Sequence, residues 1–82
     1  MTVLEEAANI VGGSRSTIYG PPEQEFPRMA EMWSLVLGTK VTAHQVCLCM
    51  IAMKLMRSAI SPSHRDSLVD ICGYARILEK LS

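Results

Sequence analysis

The sequence predicts an all-α fold: a short N-terminal helix, a loop, then three helices, the last two forming an antiparallel hairpin in an oligomeric bundle. Three observations predict it. Apolar residues recur at the 3.6-residue helical period in several segments. Two Ser/Thr-x-x-Glu/Gln boxes, Thr2-Val3-Leu4-Glu5 and Thr42-Ala43-His44-Gln45, mark helix starts. Hydrophobic residues make up 49% of an 82-residue chain and aromatics only 5%, so apolar surface exceeds what so small a core can hide.

The chain reads as a single helical domain over 1–82, divided into a short helix plus loop (1–22), a second helix (23–38) and a helical hairpin (42–82). After the Thr2 box, Leu4, Ala7, Ala8 and Val11 form a short apolar stripe, and Gly12-Gly13 stops the helix. Residues 12–22 are rich in Gly, Ser and Pro and read as a loop, with Arg15 and backbone N–H groups available to a ligand. Phe26, Met29, Ala30, Trp33, Val36 and Leu37 then share one helix face. Pro27 is expected in the first turn of that helix, because a deeper position costs about 3 kcal/mol. Gly38 ends it.

The third helix runs from the Thr42 box to about residue 59. It is apolar on every side from Val46 to Met53, which predicts a central helix with neighbours all round. Ser61-Pro62-Ser63 breaks the chain. Either Pro62 follows Ser61 as first helical residue, or Ser63 caps with Asp66 three residues on. The fourth helix carries Leu68, Ile71, Cys72, Ala75 and Leu78 as its apolar stripe, and so short a connection makes the two helices antiparallel neighbours.

Net charge is zero, which argues against nucleic-acid binding. Cys47, Cys49 and Cys72 are an odd set in apolar helical stretches and read as buried free thiols in a reducing cytoplasm. No basic region follows Met1, so no leader is expected, and Val41–Met53 is too short to span a bilayer. No Ser–His–Asp spacing, phosphate-binding glycine loop or zinc pattern is present, which weighs against an enzyme.

One constellation carries chemistry. Lys54 and Arg57 share a face of the third helix, and Asp66 and Asp70 share a face of the fourth. In an antiparallel hairpin Arg57 is level with Asp66, and Lys54 with Asp70. Two ion-pair rungs would fix the register. Alternatively the cations hold a phosphate, or the carboxylates hold Mg²⁺ with waters. Gly73 lies on the same face as the two aspartates, where a glycine lets another helix or a ligand approach. His64 and Arg65 open the fourth helix, where free N–H groups and an arginine together suit an anion. His44 is expected to be exposed.

Arg15, Tyr19-Gly20-Pro21-Pro22, Phe26, Ala30, Trp33, Lys54, Arg57, His64-Arg65-Asp66-Ser67, Asp70 and Gly73-Tyr74-Ala75 together resemble a family of small phage and prophage proteins known as a domain of unknown function. The resemblance covers residues 15–75. The pattern is also distantly similar to all-α nucleotide-pyrophosphatase-like phage proteins, which hold Mg²⁺ on two acidic pairs. That similarity implies Asp66 and Asp70 as metal ligands. Lys54 and Arg57 stand where a second acidic pair belongs, and two cations facing two carboxylates oppose a divalent ion.

Three functions follow as expectations. The first is a non-enzymatic protein of the host cytoplasm that binds or sequesters a nucleotide-like anion, to counter host defence, through Arg15, Tyr19, Lys54, Arg57, Arg65 and Tyr74, without a cofactor. The second is a Mg²⁺-dependent nucleotide pyrophosphatase on Asp66 and Asp70. The third is a protein-interaction module that inhibits a host defence complex through its Met-rich helices. A homo-oligomer is the expected assembly, with no membrane partner.

Overall fold

The structure, a computed structural model, describes residues 1–13 and 20–82. These form four helices and no strand: α1 (Val3–Gly12), α2 (Pro22–Leu37), α3 (Ala43–Ile60) and α4 (Arg65–Leu81).

Local chemistry sets most helix ends. At α1 the Thr2 hydroxyl accepts from the Glu5 N–H at 3.1 Å, and the Glu5 carboxylate accepts from the Thr2 N–H at 2.9 Å. The same reciprocal box starts α3, with Thr42 and Gln45 at 3.2 and 2.9 Å. Each box satisfies two backbone donors that a helix start leaves free. Gly38 closes α2 in the left-handed region at φ 69°, its N–H donating to the Ser34 carbonyl.

Two boundaries differ from expectation. Helix α2 starts at Pro22, so Pro27 is its sixth residue and lies beyond the first turn. A proline there removes the donor for the Glu23 carbonyl; both residues are exposed, so that end of the helix is open to solvent. Helix α4 starts at Arg65 behind His64, with no side-chain cap, rather than at Pro62 or behind Ser63. The His64 ring instead meets the fully buried Ser67 hydroxyl at 3.0 Å, and the His64 backbone N–H donates to the Ser61 carbonyl, which closes the turn.

The core joins all four helices through Val11, Phe26, Ala30, Val46, Cys47 and Ile77. Helix α4 packs against each of the other three, so α4, and not α3, is the central helix. Helix α3 has both neighbours, α2 and α4, on one side. Only Val46 and Cys47 of α3 are fully buried, while Leu48, Leu55, Met56 and Ile60 are 51%, 55%, 52% and 78% exposed. Its all-round apolar pattern is therefore not burial within this chain. Helix α4 also departs from the predicted stripe. It buries Ser67, Val69, Gly73 and Ile77, because α1 docks along Val69 and Gly73; Leu68 and Ala75 are exposed, and Ile71, Cys72 and Leu78 only half-buried. In α2 the face holds through Phe26, Met29, Ala30 and Trp33, but Val36 and Leu37 in the last turn are exposed because no neighbouring helix covers them.

Gly73 sits where α1 crosses α4. A Cβ there would meet the Val11 Cγ2 at 3.6 Å, an ordinary van der Waals contact. The helix interior penalty of glycine is thus not offset by a forbidden approach. Gly73→Ala is expected to raise stability by about 0.5–1 kcal/mol in a urea titration. A loss of stability would mean that the crossing needs more room than this geometry gives. Among the described residues, no helix is long and apolar enough to cross a membrane.

Candidate functional site

The hairpin of α3 and α4 has an inner, charged side and an outer, apolar side. On the inner side Lys54 Nζ lies 2.8 Å from Asp70 Oδ2. Lys54 is the more enclosed partner, its side chain 13% exposed against 38% for Asp70. Seven residues further back on α3, the Cys47 thiol donates to the Tyr74 carbonyl at 3.2 Å. These two contacts set the antiparallel register, since residue numbers fall on α3 as they rise on α4.

The other charges expected at this site are spread out. Arg57 and Asp66 are exposed and form no ion pair with one another. Arg65 is engaged elsewhere: Nε and Nη2 donate to the Glu6 carboxylate at 3.2 and 2.9 Å, and Nη2 also donates to the Met1 carbonyl at 2.8 Å. That three-bond clamp ties the start of α1 to the start of α4. It also occupies the guanidinium that an anion at the α4 N-terminus would need. The Tyr74 ring packs edge-on against Phe26, with centroids 6.4 Å apart at 71°. Arg15 and Tyr19 lie outside the described residues. Asp66 and Asp70 stand in no group of three His, Cys, Asp or Glu side chains able to hold a metal ion, among the described residues. His44 is exposed, as its position in the first turn implies, with Nε2 3.5 Å from the Ser82 hydroxyl.

The cavities are modest in what they offer. A space of about 50 Å³ lies at the α1–α4 seam between Ala7, Val11, Asp70, Gly73 and Tyr74, room for little more than water. A broad open trough of about 790 Å³ runs between α2 and the start of α3. One polar group lining it, the Ser34 hydroxyl, already donates to the Ala30 carbonyl at 2.7 Å and accepts from the Val41 N–H at 2.8 Å. At the hairpin tip, Arg57, Ile60, Ser61 and His64 line an open depression of about 250 Å³.

The cysteines divide by environment. Cys47 is fully buried and Cys72 half-buried, but Cys49 is exposed, contrary to the expectation of three buried thiols. Burial pushes the Cys47 pKa above the ordinary thiol value, with backbone hydrogen bonding at Leu78 working the other way. The folded state therefore holds the Cys47 proton after the unfolded chain has released it. Stability from this site is complete below pH about 9 and is lost as pH rises through the folded pKa. Denaturation followed against pH should show that decline, and Cys47→Ala should remove it. Thiol labelling should reach Cys49 in the folded protein and Cys47 only on unfolding.

Among the described residues, none of the site residues named from the sequence lies on the outer side. Leu48, Ala52, Leu55 and Ala59 follow one another along α3 at steps of four, three and four, and all are exposed. Helical spacing extends this face across to Leu68, Ile71 and Ala75 on α4. The charged residues of α3, Lys54 and Arg57, are on its other side. The helix thus departs from an ordinary surface helix, with Lys54 turned toward its own chain and leucines toward solvent. The signal in the sequence is the uniformly apolar run from Val46 to Met53, which by itself predicts burial inside the bundle.

Comparison with known proteins adds a family and two relatives. Residues 2–82 match the family described as Domain of unknown function (DUF6378). The chain is 35% identical over 82 residues to the Gene 55 protein of Mycobacterium phage L5, covering 99% of this chain and 53% of the relative. It is also 35% identical over 80 residues to the Gene 55 protein of Mycobacterium phage D29, covering 98% and 53%. The chain spans about half the length of these curated relatives. No solved structure matches it.

Proposed function

The chain belongs to the DUF6378 family, and from that premise we propose that it is a non-enzymatic docking module that works by protein contact through the outer face of the α3–α4 hairpin. One observation carries this reading: Leu48, Ala52, Leu55, Met56, Ala59 and Ile60 of α3 are all exposed, while its Lys54 is turned inward to Asp70. Proteins that act as monomers rarely leave a continuous apolar face beyond a few hundred Å². The phage origin of the relatives supports a setting in the host cytoplasm, where inhibition of a host defence complex is one use of such a face.

A photoreactive side chain at position 55 tests the reading, with one at the exposed position 31 on α2 as control. Cross-links to protein from position 55 and not from position 31 are expected. Equal or absent cross-linking from position 55 would remove the reading.

Nucleotide-like anion binding stands as a second reading. It is favoured by Arg57, a cation without an ion pair among the described residues, which borders the depression at the hairpin tip with His64. Of its expected contacts, Lys54 and Arg65 would each have to leave a carboxylate first. Calorimetry against linear and cyclic nucleotides should then give heat that Arg57→Ala abolishes. The Mg²⁺-dependent pyrophosphatase gains no such support, since Asp70 is held by Lys54.

A further inference from the structure

Resting on the docking reading, we propose that the occupant of the outer face is a second copy of this chain, its α3 antiparallel to the first about a two-fold axis. In this pairing Leu48 and Leu55 of each copy seat over Ala59 and Ala52 of the other.

The register comes from the spacing. Steps of four, three and four residues are those of a coiled-coil seam, in which every apolar residue returns to one line of contact. Along that seam large and small residues alternate: Leu48, Ala52, Leu55, Ala59. An antiparallel two-fold axis passing between residues 53 and 54 places Leu48 opposite Ala59, and by the same axis Leu55 opposite Ala52. Every leucine knob thus meets an alanine hole. A parallel pairing in register would set leucine on leucine and alanine on alanine, leaving gaps at the alanines. The seam is self-complementary in the sense a two-fold interface requires. Alanine at every second contact also allows the axes to approach to about 8 Å, the near end of the usual range.

Exposure and charge agree with this occupant. Leu48 and Leu55 of α3, with its alanines Ala52 and Ala59, and Leu68 and Ala75 across on α4 are all exposed, so the seam and its flank are free to be covered. The chain carries no net charge, so two copies do not repel one another. No lysine or arginine lies on the seam, and a lipid surface would call for them. Arg76 and Glu79, paired with one another on α4, lie at its rim.

Sedimentation equilibrium across the micromolar range tests the proposal on the full chain and two variants. The wild type is expected at twice the 9.0 kDa chain mass. Leu55→Lys should sediment as a monomer with unchanged helical circular dichroism. Ala52→Leu is the discriminating variant. Residue 52 is exposed and leucine is a good helix former, so the fold is unaffected and the face becomes more apolar. A face that docks by greasiness would associate as well or better. The interlocked seam has its hole filled, and association should weaken by at least about tenfold. A monomeric wild type, or an Ala52→Leu variant that associates as tightly as the wild type, overturns the proposal. A monomer whose position 55 still cross-links to another protein would overturn the second-copy assignment and leave the docking reading standing. Should Leu55→Lys fail to fold, Ala52→Leu decides.

Discussion

Phe26→Ala is expected to leave most of the chain unfolded at room temperature. Phe26 is fully buried, joins residues of all four helices in the core, and meets the Tyr74 ring edge-on. Removing a buried phenyl ring typically costs about 3–5 kcal/mol, the lost transfer energy plus the cavity left behind. Small domains have a total stability near the lower end of about 5–15 kcal/mol, and this one lacks a disulfide. The loss therefore takes up most of what is available. Helical ellipticity against urea should show a collapsed midpoint or no folded baseline. A loss below about 1 kcal/mol would mean that the site collapses around the gap, and that the core is less closely packed than described. Phe26→Leu, which retains apolar volume, should cost markedly less.

Asp70→Ala should cost about 1–2 kcal/mol, and Arg57→Ala close to nothing. The contrast follows from burial. Lys54 is almost enclosed, so removing Asp70 leaves an ammonium that can recover little water. Breaking a fully buried pair costs about 3–5 kcal/mol, and the exposure of Asp70 reduces that figure here. Arg57 is exposed and has no ion pair among the described residues, so its truncation disturbs none of them. Thermal melts of the two variants beside wild type separate the cases. Equal effects would contradict the assignment of Lys54–Asp70 as the rung that sets the hairpin register. Lys54→Met, which removes the charge and retains the stem, should be milder than Asp70→Ala.

What the sequence disclosed and what it hid differ by range. Thr2 with Glu5, Thr42 with Gln45, and Gly38 are complete within four residues or one dihedral angle, so they read correctly at sight. The hairpin followed from the shortness of the link between α3 and α4. The Arg65–Glu6 clamp spans 59 residues and the Cys47–Tyr74 contact spans 27; no periodicity announces either. That is why Arg65 read as a ligand contact and α1 as a minor element, although the clamp fixes α1 along α4. The α4 start failed for a related reason, since Ser63 is a good cap in isolation but the His64–Ser67 contact decides the boundary. Helix α3 is the instructive case. An all-apolar run states that neighbours are needed on every side, but not whose. With α2 and α4 on one side, the remaining face fell to solvent, and the run that suggested a central helix became the candidate site.

The most direct test is whether that face is dry in the protein at working concentration. Leucine methyl groups can be read by NMR with a water-soluble paramagnetic probe that broadens only what it reaches. Within the single chain, Leu48 and Leu55 on α3 and Leu35 and Leu37 on α2 are all more than half exposed, which makes the α2 pair an internal standard. Leu48 and Leu55 are predicted to stay sharp while Leu35 and Leu37 broaden. Equal broadening of all four would contradict the assignment of the outer face of α3 as a surface covered by protein.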